Sequence, residues 1–351
     1  MKTTLDALAG VRTALKAWTT PLLPDDYTAL LNPLWSTREL RGKVVKVTKH
    51  NNDTISLDVT PGWGVPVDFA PGQYIGVGVQ VNGRYVWRSY SLTNVSGADK
   101  LFSITVKAQQ GGRLSEHLVE CAQPGMNVRI ARPAGDFHLP DPIPEKLLFL
   151  AAGTGITPIV AMIRALELRS PNHDAVLVYS ARTEQDALFI EELRQVPGLT
   201  CHLRITSEQG RVTPEEVGNL VPDYAERAPF ACGPGEMLEA LAKWWDEGVE
   251  KRHELRTERF TLDRTSDAEG GLITFGAKGQ VQADGATTIL EAAESEGIQL
   301  PFGCRMGICH TCVQTIKDGA AHNLTTGEAH ELGERIRTCV CVARGDLTLD
   351  V

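Results

Sequence analysis

Cys304, Cys309 and Cys312 follow one another at C-x4-C-x2-C, and Cys339 and Cys341 stand some way downstream. Thiolates are soft, anionic donors suited to iron and zinc. Three in one short loop with a distant fourth is the ligand spacing of a two-iron, two-sulfur cluster. Gly303 and Gly307 suit such a loop, because backbone N–H groups must turn toward sulfur where a Cβ would intrude. A four-thiolate zinc cage from Cys309, Cys312, Cys339 and Cys341 is the competing reading. It leaves Cys304 unused and the x4 gap unexplained, so a one-electron carrier is the expected chemistry.

Two further groups of residues could bind ligands. Arg88-Ser89-Tyr90-Ser91-Leu92 gathers an arginine, an aromatic and two hydroxyls on one stretch. Such a set can divide the holding of a flavin: Arg88 on phosphate in a charge-assisted fork, Tyr90 over the ring or ribitol, Ser91 at the ring edge. Gly111-Gly112-Arg113-Leu114-Ser115 then opens a helical pattern, and backbone N–H groups with Ser115 at a helix start make an anion site for a pyrophosphate. Each motif alone is weak, and in this order they support one another. The apolar run 147–152 feeds Gly153-Thr154-Gly155-Ile156-Thr157-Pro158 and then an amphipathic stretch over 159–168. Strand, glycine turn and helix form a nucleotide-binding unit, with Pro158 standing at the helix start in place of the third fingerprint glycine. Cys232-Gly233-Pro234 closes a later strand at 229–231. By itself it is a plain turn with a buried cysteine; behind the glycine turn it is read as part of the same site.

The elements that must position these residues divide the chain into parts. At 351 residues, 42% hydrophobic and 23% charged, the composition suits two or three globular domains. A net charge of −9 argues against a nucleic-acid partner. No apolar run reaches the length of a membrane span and no signal-peptide cleavage pattern is present, so a cytoplasmic, reducing location is expected. There the eight cysteines are ligands or buried thiols, not disulfides, with Cys121, Cys201 and Cys341 as small buried hydrophobes. Residues 1–37 form a short helical N-terminal arm, with Leu5, Leu8, Val11, Leu15 and Trp18 at helical spacing and a second helix capped by Asp25-Asp26. The arm is read as packing on its own domain, with an interfacial helix touching a membrane or membrane-bound partner as the second reading. Residues 38–141 alternate in short strands with regular turns, an antiparallel β-barrel. Residues 142–260 are an α/β domain with a parallel sheet, whose helical stretches include 185–193. A polar linker covers 261–271. Residues 272–351 give two strands, a helix over 287–296 capped near Asp284-Gly285, the cysteine loop and a last strand, a β-grasp (α+β) domain.

With R-S-Y-S, G-T-G-I-T-P and C-G-P in this order, residues 38–260 resemble the ferredoxin–NADP reductase superfamily. With the cysteine module added, the chain resembles three-domain flavin, nicotinamide and ferredoxin electron-transfer reductases. The resemblance is nearest to bacterial reductases that feed membrane fatty-acyl desaturases. It is carried by Pro21-Leu22-Leu23-Pro24-Asp25-Asp26-Tyr27, Asn32-Pro33-Leu34-Trp35-Ser36, Met306-Gly307-Ile308-Cys309-His310-Thr311-Cys312 and Asn323-Leu324-Thr325-Thr326-Gly327. It implies FAD, a 2Fe-2S cluster and NADPH (or NADH) as cofactors. Arg88, Tyr90 and Ser91 would contact flavin, and Gly111, Gly112 and Ser115 its pyrophosphate. Gly153, Thr154, Gly155 and Pro158 would form the nicotinamide-nucleotide turn, with Cys232, Gly233 and Pro234 beside the position of hydride transfer. Tyr90 and Cys232 are the expected catalytic positions, and Glu258 and Phe260 lie where such reductases return to the flavin. Arg182, Ser207 and Arg211 follow the second and third strands, where the superfamily reads a 2′-phosphate. Cys304, Cys309, Cys312 and Cys339 are the implied metal ligands, Cys339 being preferred to Cys341 because it precedes Asp346 at the ferredoxin spacing. The implied acceptor is a membrane di-iron desaturase or hydroxylase, met at the ferredoxin domain and at the inner face of the membrane. The reductase of a soluble Rieske-type ring oxygenase or haem-thiolate monooxygenase is the alternative.

Overall fold

The computed structural model describes residues 24–36, 39–81, 84–97, 99–170, 173–248, 252–260, 268–302, 305, 307 and 310–351. The helix expected at Leu5 to Trp18, most of the linker, and the ligands Cys304 and Cys309 lie outside the described residues.

Alternating apolar residues build the first sheet from β1 (Arg41–Lys49), β2 (Thr54–Pro61), β3 (Tyr74–Val81), β4 (Arg84–Ser91), β5 (Phe102–Lys107) and β6 (Asn127–Ile130). All pairings are antiparallel, in the order β4-β3-β6-β1-β2-β5. A bridge between Leu92 and Ile104 and a 2.8 Å hydrogen bond from Thr93 N–H to the Ser103 carbonyl join the two outer strands. Those contacts close the barrel around Val44, Leu57, Ile75, Leu92 and Ile104. The helix Arg113–Cys121 closes one end through Leu114 and Leu118. Its last residue, Cys121, is exposed and not the buried hydrophobe expected.

The second sheet is wholly parallel and ordered β11-β10-β7-β8-β9. It comprises β7 (Lys146–Ala152), β8 (Asp174–Ala181), β9 (Leu199–Ile205), β10 (Ala228–Cys232) and β11 (Arg256–Glu258). β7 is buried from Leu147 to Ala151, as an unbroken apolar run requires. The helix Ile156–Arg169 begins two residues before Pro158, so the proline is third in the helix, still within the turn whose N–H groups have no intrahelical partner to lose. The expected helix 185–193 shrinks to Ile190–Leu193, because Phe189 adopts a left-handed φ of 62°. Its ring lies edge-on to His50 of the barrel and beneath the Arg164 guanidinium. Lys107 to Asp186 at 2.6 Å, and Arg164 Nη1 to the Thr93 carbonyl, bind the barrel to this domain.

The third sheet is mixed: β12 (Gly271–Thr274), β13 (Gln280–Ala283), β14 (Val313–Asn323), β15 (Ala329–His330), β16 (Arg335–Arg337) and β17 (Cys341–Asp350). Its order is β13-β12-β17-β14-β15, with β16 on β14 and β12 parallel to β17, a β-grasp arrangement. The helix Ile289–Ser295 is capped by Thr288 and Glu291 in a reciprocal capping box. Asp284, expected near the cap, accepts from Ala286 and Thr287 N–H in the turn before it. In the arm, the helix Pro24–Leu31 leaves Tyr27, Leu30 and Leu31 exposed. Trp35, just beyond, stacks on Trp63 of the barrel at 5.3 Å.

Candidate functional site

Two cavities of about 600 and 690 Å³ adjoin where the three sheets meet, sharing Gln109, Thr154 and Phe260 in their walls. Arg88, Tyr90 and Ser91 on β4 line the first. Their placement follows from strand pairing, since β4 runs beside β3 from Arg84 to Ser91. The Tyr90 hydroxyl and Ser91 Oγ are buried and have no hydrogen-bond partner among the described residues. Such orphaned polar atoms fit a polar ring edge that completes them. Burial pushes the Tyr90 phenol far above its ordinary range, against a smaller opposing pull from Arg88, so it stays a neutral donor. Arg88 is exposed and its Nη1 donates to the Trp87 carbonyl at 2.7 Å.

Gly112 and Ser115 lie in the same wall at the start of the helix Arg113–Cys121. Ser115 Oγ accepts from Gln109 N–H and donates to the Gly112 carbonyl, tying the turn together. A Cβ on Gly112 would meet that hydroxyl at 2.5 Å, so the cradle needs glycine. Gly111 stands outside the cavity wall; its N–H is taken by Glu116 at 2.9 Å.

The second cavity is walled by Gly153, Thr154, Gly155, Arg182, Arg211, Gly233 and Pro234. Pro158 is buried in the first helical turn behind it. Tyr179 supports the glycine turn with a long hydrogen bond, 3.4 Å, to the Gly153 carbonyl. Arg211 pairs with Glu236 at 2.5 Å, both side chains being highly exposed. Ser207 is not in the wall; its N–H donates to the Arg182 carbonyl, and Thr206 takes the wall position instead. Cys232 is fully buried in the core cluster with Phe230 and Ile156, and its thiol opens on neither cavity. Burial, reinforced by Glu258 across the β10–β11 register, holds that thiol well above its ordinary pKa. Burial likewise pushes Glu258 up to about 8, and its Oε2 is buried with no partner among the described residues.

That carboxyl gives a stability prediction. Its folded pKa of about 8 lies above the ordinary 4.5, so burial favours the protonated form. The stability it permits is complete below pH 4.5 and is lost progressively as pH rises toward 8. Glu258→Gln should therefore melt increasingly above wild type across that window and by a constant margin beyond it. The margin is a fraction of a ceiling of about 5 kcal/mol, because the residue is part-exposed. A margin that does not change with pH refutes the assignment.

In the third domain, Cys312 and Cys339 are buried with their Sγ atoms 3.2 Å apart. That is well beyond the roughly 2.05 Å of a disulfide and suits two donors on one metal. Thr338 Oγ1 donates to the Cys312 carbonyl at 3.0 Å, and Arg337 Nη1 to the Gly307 carbonyl at 2.5 Å. Gly307 has φ 76°, and a Cβ there would strike Val340 at 2.9 Å. Cys341 is buried in the domain core, its thiol pushed up to about 12 chiefly by burial. Cys339 also lines the first cavity, with Thr288, Leu290, Glu291 and Arg305. Their sequence gave no sign of this, because the contact is made between domains.

Family models match each domain in turn. Residues 42–139 match the oxidoreductase FAD-binding domain, 149–243 the oxidoreductase NAD-binding domain and 274–344 the 2Fe-2S iron-sulfur cluster binding domain. The NADPH oxidoreductase of Mycobacterium tuberculosis is 47% identical over 343 residues, 95% of this chain and 90% of that protein. The chain belongs to the three-domain FAD-, NAD- and 2Fe-2S-binding oxidoreductases. The glycine betaine monooxygenase reductase subunit of Chromohalobacter salexigens is 27% identical over 90% of this chain and 96% of its own length. Phthalate dioxygenase reductase shares the fold, with a TM-score of 0.63 over 89% of this chain and 98% of that one, at 23% identity. This oxidoreductase thus uses FAD, a nicotinamide nucleotide and a 2Fe-2S cluster, which replaces the zinc reading of the cysteines. Among its described residues no helix is long and apolar enough to cross a membrane.

Proposed function

We propose that this oxidoreductase is the reductase component of an oxygenase system, taking electrons from NADPH and passing them through flavin and cluster to a terminal oxygenase. The observation that carries the reading is the shared wall: Phe260 and Thr154 join the nucleotide and flavin cavities, and Cys339 borders the flavin cavity from the far side. A flavin held there would supply the exchange of a hydride's electron pair for single electrons that a one-electron cluster requires. The protein's own residues bind and orient. Arg88, Tyr90 and Ser91 hold the flavin, and Gly112 and Ser115 shape the cradle for its pyrophosphate. Gly153, Thr154 and Gly155 admit the nucleotide, Pro158 stiffens the helix behind them, and Gly233 and Pro234 border it. Cys232 and Glu258 pack behind that wall and line neither cavity, and Phe260 covers the junction. Cys304, Cys309, Cys312 and Cys339 ligate the cluster.

The choice of NADPH rests on Arg182 and Arg211 in the nucleotide wall. The Arg211–Glu236 pair is so exposed that it holds its partners weakly, leaving the guanidinium available to a phosphate. Replacing either arginine by alanine should lower kcat/KM for NADPH by about tenfold, the loss of one charge-assisted phosphate contact, and spare NADH. Equal loss with both nucleotides would leave the arginines without a role in selection.

A soluble oxygenase is the preferred acceptor, supported by the relative named as a monooxygenase reductase subunit. The M. tuberculosis relative carries no acceptor in its name. A membrane acyl desaturase is the second reading, favoured by exposed Tyr27, Leu30 and Leu31 on the arm helix and by half-exposed Trp63. The test is reconstitution with a soluble Rieske-type oxygenase and, separately, with membranes holding an acyl desaturase. NADPH-dependent hydroxylation supports the first reading and desaturation alone the second. Oxidation of NADPH coupled to neither overturns both.

A further inference from the structure

Arg305 is the one described residue of the cysteine loop that lines the flavin cavity, apart from the ligand position Cys339 across from it. Several contacts fix it there. Nη1 donates to Glu294 Oε2 at 2.9 Å and Nη2 to Glu294 Oε1, a bidentate pair across to the helix Ile289–Ser295. The guanidinium stands 4.3 Å over the Phe302 ring. Its backbone takes φ 58°, a conformation that costs a non-glycine residue energy and that surrounding contacts must hold. Nε is buried with no partner among the described residues. A donor and a positive charge are thus locked beside the flavin cavity, one residue after Cys304.

We propose that Arg305 is a positioning residue that biases the electron from flavin toward the cluster, with Glu294 setting how much of its charge is felt. The inference rests on the ligand and flavin assignments above. In the step concerned, reduced flavin, charged by hydride from the nicotinamide, loses one electron and the oxidised cluster gains it. The cluster becomes more negative by one charge. A fixed cation at the loop stabilises that product, and hydrogen bonds and net charge are the terms that tune such clusters. Glu294 opposes it, being the negative half of the pair.

The test is a redox titration of the full-length protein, following the cluster by electron paramagnetic resonance and the flavin by absorption. Arg305→Ala should shift the flavin–cluster equilibrium about tenfold toward flavin, or about 59 mV for one electron. Glu294→Gln should shift it toward the cluster, and Arg305→Lys, which keeps the charge, should stay near wild type. Should Arg305→Ala fail to retain its cluster, the opposite displacement in Glu294→Gln and the retention in Arg305→Lys still carry the test. Shifts of the same sign in the Ala and Gln variants, or none, overturn the inference. A wild-type protein with no cluster signal would instead remove the ligand assignment beneath it.

Discussion

Serine at Cys312 or Cys339 should abolish or strongly shift the cluster's visible absorption, whereas alanine at Cys341 should leave it in place. The two Sγ atoms lie 3.2 Å apart, close enough to serve one metal, and a serine hydroxyl is a harder donor that suits iron in a sulfur cluster less well. Cys341, fully buried in the same apolar core, lies outside the cavity wall that Cys339 lines and packs as a small hydrophobe. With the cluster gone, reduction of cytochrome c by NADPH is lost. Reduction of ferricyanide persists, because that acceptor draws electrons directly from flavin. The third domain also melts earlier, since metal binding contributes folding energy. Loss of the cluster in Cys341→Ala with retention in Cys339→Ser would reverse the ligand assignment.

What could be read before the fold was seen was whatever is local. The alternation in β1 to β5, the buried run of β7 and the cysteine spacing are each contained in a few consecutive residues. What could not be read depends on distant pairing. β11 is three polar residues, Arg256 to Glu258, with no strand pattern; parallel pairing with β10 makes it a strand and puts Glu258 beside Cys232. Ser207 and Thr206 are equally good phosphate donors on paper, and only the bend after β9 gives the wall to Thr206. Phe189 is an apolar residue in a helical pattern until its contacts with His50 and Arg164 hold it at positive φ. The largest gap is the wall given by the third domain. Thr288 and Glu291, which cap the helix Ile289–Ser295, and Arg305 of the cysteine loop all become part of the flavin cavity through packing between domains.

The two glycines of the G-T-G turn should respond very differently to alanine. At Gly153 an added Cβ meets nothing within 4 Å, and only its φ of 55° resists substitution. Holding alanine in that left-handed conformation costs about 1–2 kcal/mol. At Gly155 the conformation is ordinary, but a Cβ would lie 2.0 Å from the Cys232 carbonyl oxygen and 2.5 Å from its carbon. Both are backbone atoms at the end of β10, a strand paired on both sides, so the turn and not the sheet must move. The helix Ile156–Arg169 carries ten buried residues from its first turn onward and cannot follow without disturbing the core. Gly155→Ala should therefore cost about 3 kcal/mol, the upper end for an overpacked site. It should also displace Thr154 and Gly153 from the nucleotide cavity. NADPH affinity measured by titration then falls far more in Gly155→Ala than in Gly153→Ala, while the barrel's flavin and the cluster spectrum are retained in both. Equal affinity in the two variants would show that the close approach of this turn to β10 is not what shapes the nucleotide site.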